Sequence, residues 1–271
     1  FMPSYIPPLG PISEKLKASQ LKWSDFTKSI PFAYTEIIEW KAWFFLLRTI
    51  VIWTGLMYLA LGIYSISSWS WYHYLTSLVI SFGVFCCYAN LFTLAHDAGH
   101  FCFSKVKTAN KLVGHFILSI FHIGFHNWKI AHNFHHTYSQ TINRDTTWTK
   151  DKMTVQQFAE SDKKKQKDYH IAYATPVGVL VGYYFACVQY FFFTRYYHFI
   201  PLEKEQRRQV RFSSFLVLVL SLCHLALFCW LGGLSFYLNY HLLPLALGAV
   251  AAVGIPLLQH SHEHAVYFDE K

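Results

Sequence analysis

The sequence predicts an all-α integral membrane protein built on two transmembrane helical hairpins, four spans in all, with further helices at the cytoplasmic membrane surface. Three observations carry this. Hydrophobic residues fill 54% of the 271 positions and charged residues only 14%, where an ordinary soluble domain carries roughly a quarter charged. Residues 49–96 and 212–262 hold no Asp, Glu, Lys or Arg. All 23 Lys and Arg residues therefore lie outside those two stretches. Aromatic residues at 19% also exclude a disordered, solvated chain.

A crossing helix needs about 20 apolar residues, so each charge-free stretch accommodates two helices and a short turn. The first hairpin is expected at about 45–66 and 74–95, turning through Ser67-Ser68-Trp69-Ser70-Trp71-Tyr72. The second is expected at about 212–232 and 237–259, turning through Gly232-Gly233-Leu234-Ser235. Basic residues concentrate on the cytoplasmic side, so both turns fall on the far side and the rest of the chain in the cytoplasm. No secretory signal peptide is expected before the first span.

Two further apolar runs, 112–128 and 174–197, carry His115, His122, His126 and Arg195. The basic segments on either side of 174–197 belong on one face of the membrane. Both runs are accordingly expected as interfacial or re-entrant helices, where Tyr, Trp and His are at home. The alternative pairs them as a third hairpin with loop 129–170 outside. The charged run 159–169 suits anionic headgroups better than nucleic acid, and no nucleic-acid partner is expected. Six cysteines without a C-x-x-C pair read as packing residues. There is no G-x-S-x-G elbow and no glycine-rich phosphate loop.

Sixteen histidines in so apolar a chain need an explanation. Eight fall into three groups at the cytoplasmic ends of the spans. His96 and His100 are four residues apart, so one helical face carries both, a spacing that suits two ligands of one metal. His132, His135 and His136 are likewise expected on a single face, and a metal explains crowding that protonation would drive apart. The third group, His260, His262 and His264, has ambiguous geometry, with His260 the candidate ligand. Asp97, His126, Asp145 and His262 are candidates to support the ligands from behind, and Trp148 to shape the site. His73, His115, His122, His170, His198, His224 and His241 have no evident cluster partner. More than four imidazoles without thiolates or an H-E-x-x-H pair point to two metals, and to iron ahead of zinc.

The arrangement of H-x-x-x-H after a hairpin, then H-x-x-H-H, then a second hairpin resembles the membrane fatty-acid desaturase superfamily. The segment Phe125-His126-Asn127-Trp128-Lys129-Ile130-Ala131-His132 is similar to the lead-in of the second histidine box in acyl-lipid desaturases. Asn143-Arg144-Asp145-Thr146-Thr147-Trp148 resembles the segment that follows that box. Leu258-Gln259-His260-Ser261-His262 resembles the Gln-His-Thr-His stretch of delta-12 and omega-3 members. Two departures stand out: Phe101 follows the first box where plant members often carry His, and the family's third box is not reached by Lys271. A single desaturase-like domain over 1–271, incomplete at its C-terminus, is therefore expected.

The resemblance implies two iron ions, O2 as co-substrate and an external electron donor, either ferredoxin or a b-type cytochrome. The implied ligands are His96, His100, His132, His135, His136 and His260, with no catalytic side chain beyond them. The implied reaction removes two vicinal hydrogens from a fatty acyl chain of a membrane lipid, such as an oleoyl or linoleoyl ester, and leaves a cis double bond. The same scaffold supports a hydroxylase, ketolase or alkane monooxygenase, and a histidine-rich metal transporter is an alternative from another class. The histidine groups would face the cytoplasm or stroma, in the endoplasmic reticulum, a plastid or a bacterial inner membrane.

Overall fold

The computed structural model describes residues 34–139, 155–175 and 202–248, with a few isolated positions outside these stretches. All elements among the described residues are helical. Three helical segments are long and apolar enough to cross a membrane, Glu39–Tyr64, Trp71–Gly99 and Lys204–Gly248.

Helix α1 (Glu39–Tyr64) and helix α2 (Trp71–Gly99) form the expected first hairpin. At 26 and 29 residues they run about 39 and 43 Å, longer than the hydrocarbon layer of about 30 Å. The turn is closed by Ser70, whose backbone N–H donates to His73 Nδ1 at 3.0 Å while its side chain accepts from the helix's first turn. Helix α2 continues past the expected end at residue 95 and so carries His96 on its last turn. Its buried positions Ile80, Val84, Tyr88, Leu91, Ala95 and Ala98 recur at three- and four-residue spacing and form one inward stripe. Of the three long segments, α2 is the most enclosed. Outward-facing Leu47, Val51, Leu78, Phe82, Phe215 and Leu222 are exposed, an apolar belt that a lipid phase would cover.

The apolar run 112–128 is not one helix, which corrects the sequence reading. It divides into α3 (Lys107–Ile120) and α4 (Phe125–Tyr138), because His122 takes a left-handed φ of 57° and the chain turns before Gly124. Each has 14 residues, about 21 Å, too short to cross. Buried Asn110 fixes the entry to α3. Its Oδ1 accepts from the backbone N–H of Phe103 and Ser104 at 3.2 and 3.1 Å, and its Nδ2 donates to the Ser104 and Val106 carbonyls at 2.6 and 2.9 Å. The Glu39 carboxylate accepts from Ser104 Oγ at 2.7 Å and from the Lys105 N–H, so the loop after α2 is tied to the start of α1.

Two short helices, α5 (Val155–Glu160) and α6 (Lys163–Ala174), cover most of the charged run; Asp162 caps α6 by accepting from the Lys165 N–H at 2.8 Å. The expected surface helix at 174–197 lies almost wholly outside the described residues.

Helix α7 (Lys204–Tyr237) breaks at Gly232 and Gly233, the expected second turn. Gly233 has φ 77° and ψ −177°, a conformation open essentially only to glycine. The chain doubles back there. His224 and His241 have ring centroids 6.0 Å apart, and Phe228 and His241 5.2 Å, whereas 17 residues of straight helix would separate the first pair by about 25 Å. The returning arm passes through a π-helical turn, Leu238–Leu242, which packs against α2. Residues 249–259 of the expected fourth span lie outside the described residues.

Candidate metal centre

The end of α2 and the middle of α4 bring four imidazoles together. His96, His100, His132 and His136 each offer a ring nitrogen, and these atoms lie within 4.8 Å of one another. His132 Nε2 is 3.0 Å from His96 Nε2 and 3.0 Å from His136 Nε2. Ring centroids of His100 stand 5.1 Å from His132 and 5.0 Å from His136. Helical periodicity explains both pairs, since His96 with His100 and His132 with His136 are each one turn apart.

Burial disfavours the charged form of three of these rings, His100, His132 and His136. It holds His132 down at about 3, with the neighbouring imidazoles adding to the effect. His100 and His136 are lowered for the same two reasons, burial first. Neutral imidazoles present lone pairs to a common point, which is the donor chemistry of a metal site.

The quartet is braced from α4. The Trp128 ring lies on His132, with centroids 4.4 Å apart and planes at 17°. Gly99 makes room for it, because a Cβ there would sit 2.4 Å from the Trp128 ring. Lys129 donates through Nζ to the Gly99 carbonyl and stands 4.0 Å over the Phe101 ring. Phe101 itself has φ 59° and ends α2, its N–H donating to the Ala98 carbonyl at 3.1 Å. Sequence spacing singled out none of Gly99, Trp128 or Lys129 for this role; the nearest signal is the position of Trp128 one turn before His132.

The remaining candidates divide. His135 is buried beside the group, its ring 6.2 Å from His132 and 5.7 Å from His136, but it is not among the four whose nitrogens converge. An Asp97 carboxylate oxygen lies 3.6 Å from His96 Nδ1, behind that ring. His126 faces elsewhere: its N–H and Nδ1 lie 3.0 and 3.1 Å from Ser213 Oγ, and its ring packs 5.0 Å from His115. His260, His262, Asp145 and Trp148 lie outside the described residues. Three histidines read as solitary prove to be neighbours, since His122, His224 and His241 meet inside the bundle.

Residues 69–270 match the family model described as "Fatty acid desaturase". Among curated proteins, the chain is 28% identical over 161 residues to the sn-1 oleoyl-lipid 12-desaturase of Anabaena variabilis, covering 59% of this chain and 43% of that one. It is 27% identical over 203 residues to the sn-1 oleoyl-lipid 12-desaturase of a Picosynechococcus species, covering 75% and 53%. It is 34% identical over 89 residues to the sn-1 acyl-lipid omega-3 desaturase (ferredoxin) of a Synechocystis species, covering 32% and 24%. The chain thus spans about half the length of the first two relatives.

Proposed function

The chain belongs to the fatty acid desaturase family, and from that premise we propose that the protein is an integral membrane oxidoreductase that introduces a cis double bond into the acyl chain of a membrane lipid. The observation that carries the reading is the convergence of His96, His100, His132 and His136. The donor set fits the metal that the family implies, because iron accepts imidazole nitrogen and four such nitrogens face one point. These four residues would hold iron, and we assign His135 and His260 to the same pair of ions. Iron there, with O2 and electrons from a ferredoxin or b-type cytochrome, supplies the oxidising power that an unactivated methylene demands of any catalyst.

The protein's own part is positioning. Stacking by Trp128 fixes the plane of His132, and Lys129 ties the end of α2 to α4, so the two histidine pairs keep their relative placement. The Asp97 carboxylate, 3.6 Å behind His96, favours a proton on Nδ1 and leaves Nε2 to the metal. Neutral rings hold their lone pairs available at physiological pH. We propose four crossings, with the histidines on the cytoplasmic or stromal face, a reading supported by the reversal at Gly232–Gly233 and by the placement of the basic segments.

The test is expression of the full-length protein in yeast with gas chromatography of total fatty acids. A new unsaturated product, lost in His132→Ala and His136→Ala, is expected. Hydroxy or keto products without new double bonds would overturn the reading in favour of a hydroxylase or ketolase.

A further inference from the structure

A continuous line of packed rings runs from the metal centre into the middle of the bundle. Trp128, stacked on His132, meets Phe92 of α2 at 6.1 Å between centroids. Phe92 packs 5.5 Å from Phe121, and Phe121 packs 5.7 Å from Tyr88. Tyr88 precedes His96 by about two turns of α2, or about 12 Å. Only 1% of Tyr88 is exposed, so the line ends on a phenol shielded from both water and lipid.

That phenol sits on a base. The Tyr88 hydroxyl is 2.7 Å from His241 Nδ1, His241 Nε2 is 3.3 Å from His122 Nε2, and His122 Nδ1 is 2.7 Å from Ser221 Oγ. One set of neutral tautomers satisfies all three contacts. Tyr88 O–H donates to His241 Nδ1, His241 Nε2–H to His122 Nε2, and His122 Nδ1–H to Ser221 Oγ. Each imidazole then carries a single proton and is able to take a second from the Tyr88 side. Packing alone asks for no more than Phe at position 88, and polar groups between apolar helices are costly without a purpose.

We propose that Trp128 and Tyr88 are redox-active, draining an oxidising equivalent from the metal centre when no acyl chain is present to receive it. The inference rests on the oxygen-dependent iron reading above. Trp128 gives one electron to the centre and recovers it from Tyr88 through the Phe92 and Phe121 rings, which are the packed medium and are not themselves oxidised. On losing the electron Tyr88 breaks its O–H bond, and the proton goes to His241 Nδ1. The products are a neutral Tyr88 radical, a His241 imidazolium and a centre reduced by one electron. One electron from the external donor and the proton held on His241 restore the phenol. Oxidation is thereby moved away from His132 and the other ligands to a side chain that survives it.

The test mixes full-length, ferrous iron-loaded protein in detergent with O2, without acyl lipid, and reads frozen samples by electron paramagnetic resonance. A tyrosyl radical is expected, narrowed by ring-deuterated tyrosine and absent from Tyr88→Phe. His241→Leu should slow its formation about a hundredfold, within the range that a positioned base contributes. If Tyr88→Phe fails to elute as wild type does, a ring-fluorinated tyrosine introduced at 88 keeps the hydroxyl and splits the signal when the radical is there. An unchanged signal in Tyr88→Phe, an unsplit one in the fluorinated protein, or iron oxidised in wild type with no tyrosyl signal overturns the proposal. If O2 does not oxidise the iron, the iron reading fails, and the relay is decided by light. A ruthenium photo-oxidant is attached to Cys102, which is exposed and lies against the His100 carbonyl, with the other cysteines replaced by Ala. A flash with an electron-accepting quencher then makes the oxidant beside the first histidine pair without iron or O2. A tyrosyl radical that requires Tyr88 supports the relay, and radicals confined to other residues overturn it.

Discussion

The Trp128 indole covers the His132 imidazole in a near-parallel stack, 4.4 Å between centroids and 17° between planes. Trp128 is in turn seated over Gly99, the last residue of α2, so one ring couples the helix of the first histidine pair to the ring of the second.

Two substitutions probe that coupling. Gly99→Ala places a methyl 2.4 Å from the Trp128 ring, and overpacking of this kind costs about 1–3 kcal/mol. Trp128→Ala removes the ring and should cost about 3–5 kcal/mol. Both should lower the thermal midpoint and the iron content of the purified protein, with Trp128→Phe milder on each. Wild-type iron content in Gly99→Ala would show that the stack does not govern the site.

Acid should destabilise the metal-free fold. Burial holds His115 and His126 down at about 4, with the neighbouring His126 ring and the charge of Lys111 as the respective next causes, and holds His132 at about 3. In the unfolded chain each titrates at about 6.5, so the unfolded state binds more protons as pH falls. The stability these rings confer is present above about pH 6.5 and is lost through the window down to about 4 and then 3. Thermal unfolding of chelator-treated protein should therefore shift downward from pH 7.5 to 5. Replacing both His115 and His126 by Gln should flatten that dependence.

The reversal of α7 can be tested at adjacent glycines. Gly233→Ala meets no atom within 4 Å, so its cost is that of the backbone conformation, about 1–3 kcal/mol. Gly232 has an ordinary extended φ of −160°, but a Cβ there would lie 2.7 Å from Phe236. A D-alanine introduced at 233 by semisynthesis should restore the melting point lost in Gly233→Ala and would do nothing of the kind at 232.

Sidedness has a direct check. A reporter inserted in the 67–72 turn should be shielded from cytoplasmic modification, and one in 159–168 should be modified. The reverse pattern would overturn the orientation drawn from the basic residues.

The parts of the site that lie on one helix were legible in the sequence, because a four-residue spacing fixes two rings on one face regardless of tertiary context. That covers His96 with His100 and His132 with His136. It did not separate His135, whose place beside the quartet depends on how α4 is rotated against α2. The first hairpin and the glycine turn were legible from charge and composition. The break at His122 was not, since no Pro or Gly marks that position and the left-handed φ is imposed by packing. Nor could spacing reveal that His122 meets His241, which are 119 residues apart. Their encounter is created by the reversal of α7 and by the extra backbone residue of the π-helical turn.

The Glu39 carboxylate, bound to Ser104 and to the Lys105 backbone, has a mechanical consequence. A two-helix hairpin is ordinarily joined at one end and free to splay at the other. Here the free end is latched, so α1 and α2 form a closed circuit of chain with the first histidine pair beside the clasp. The arms cannot spread at the histidine end without first releasing that carboxylate, and an acidic residue at the start of α1 thereby limits the breathing of a site to which it contributes no ligand.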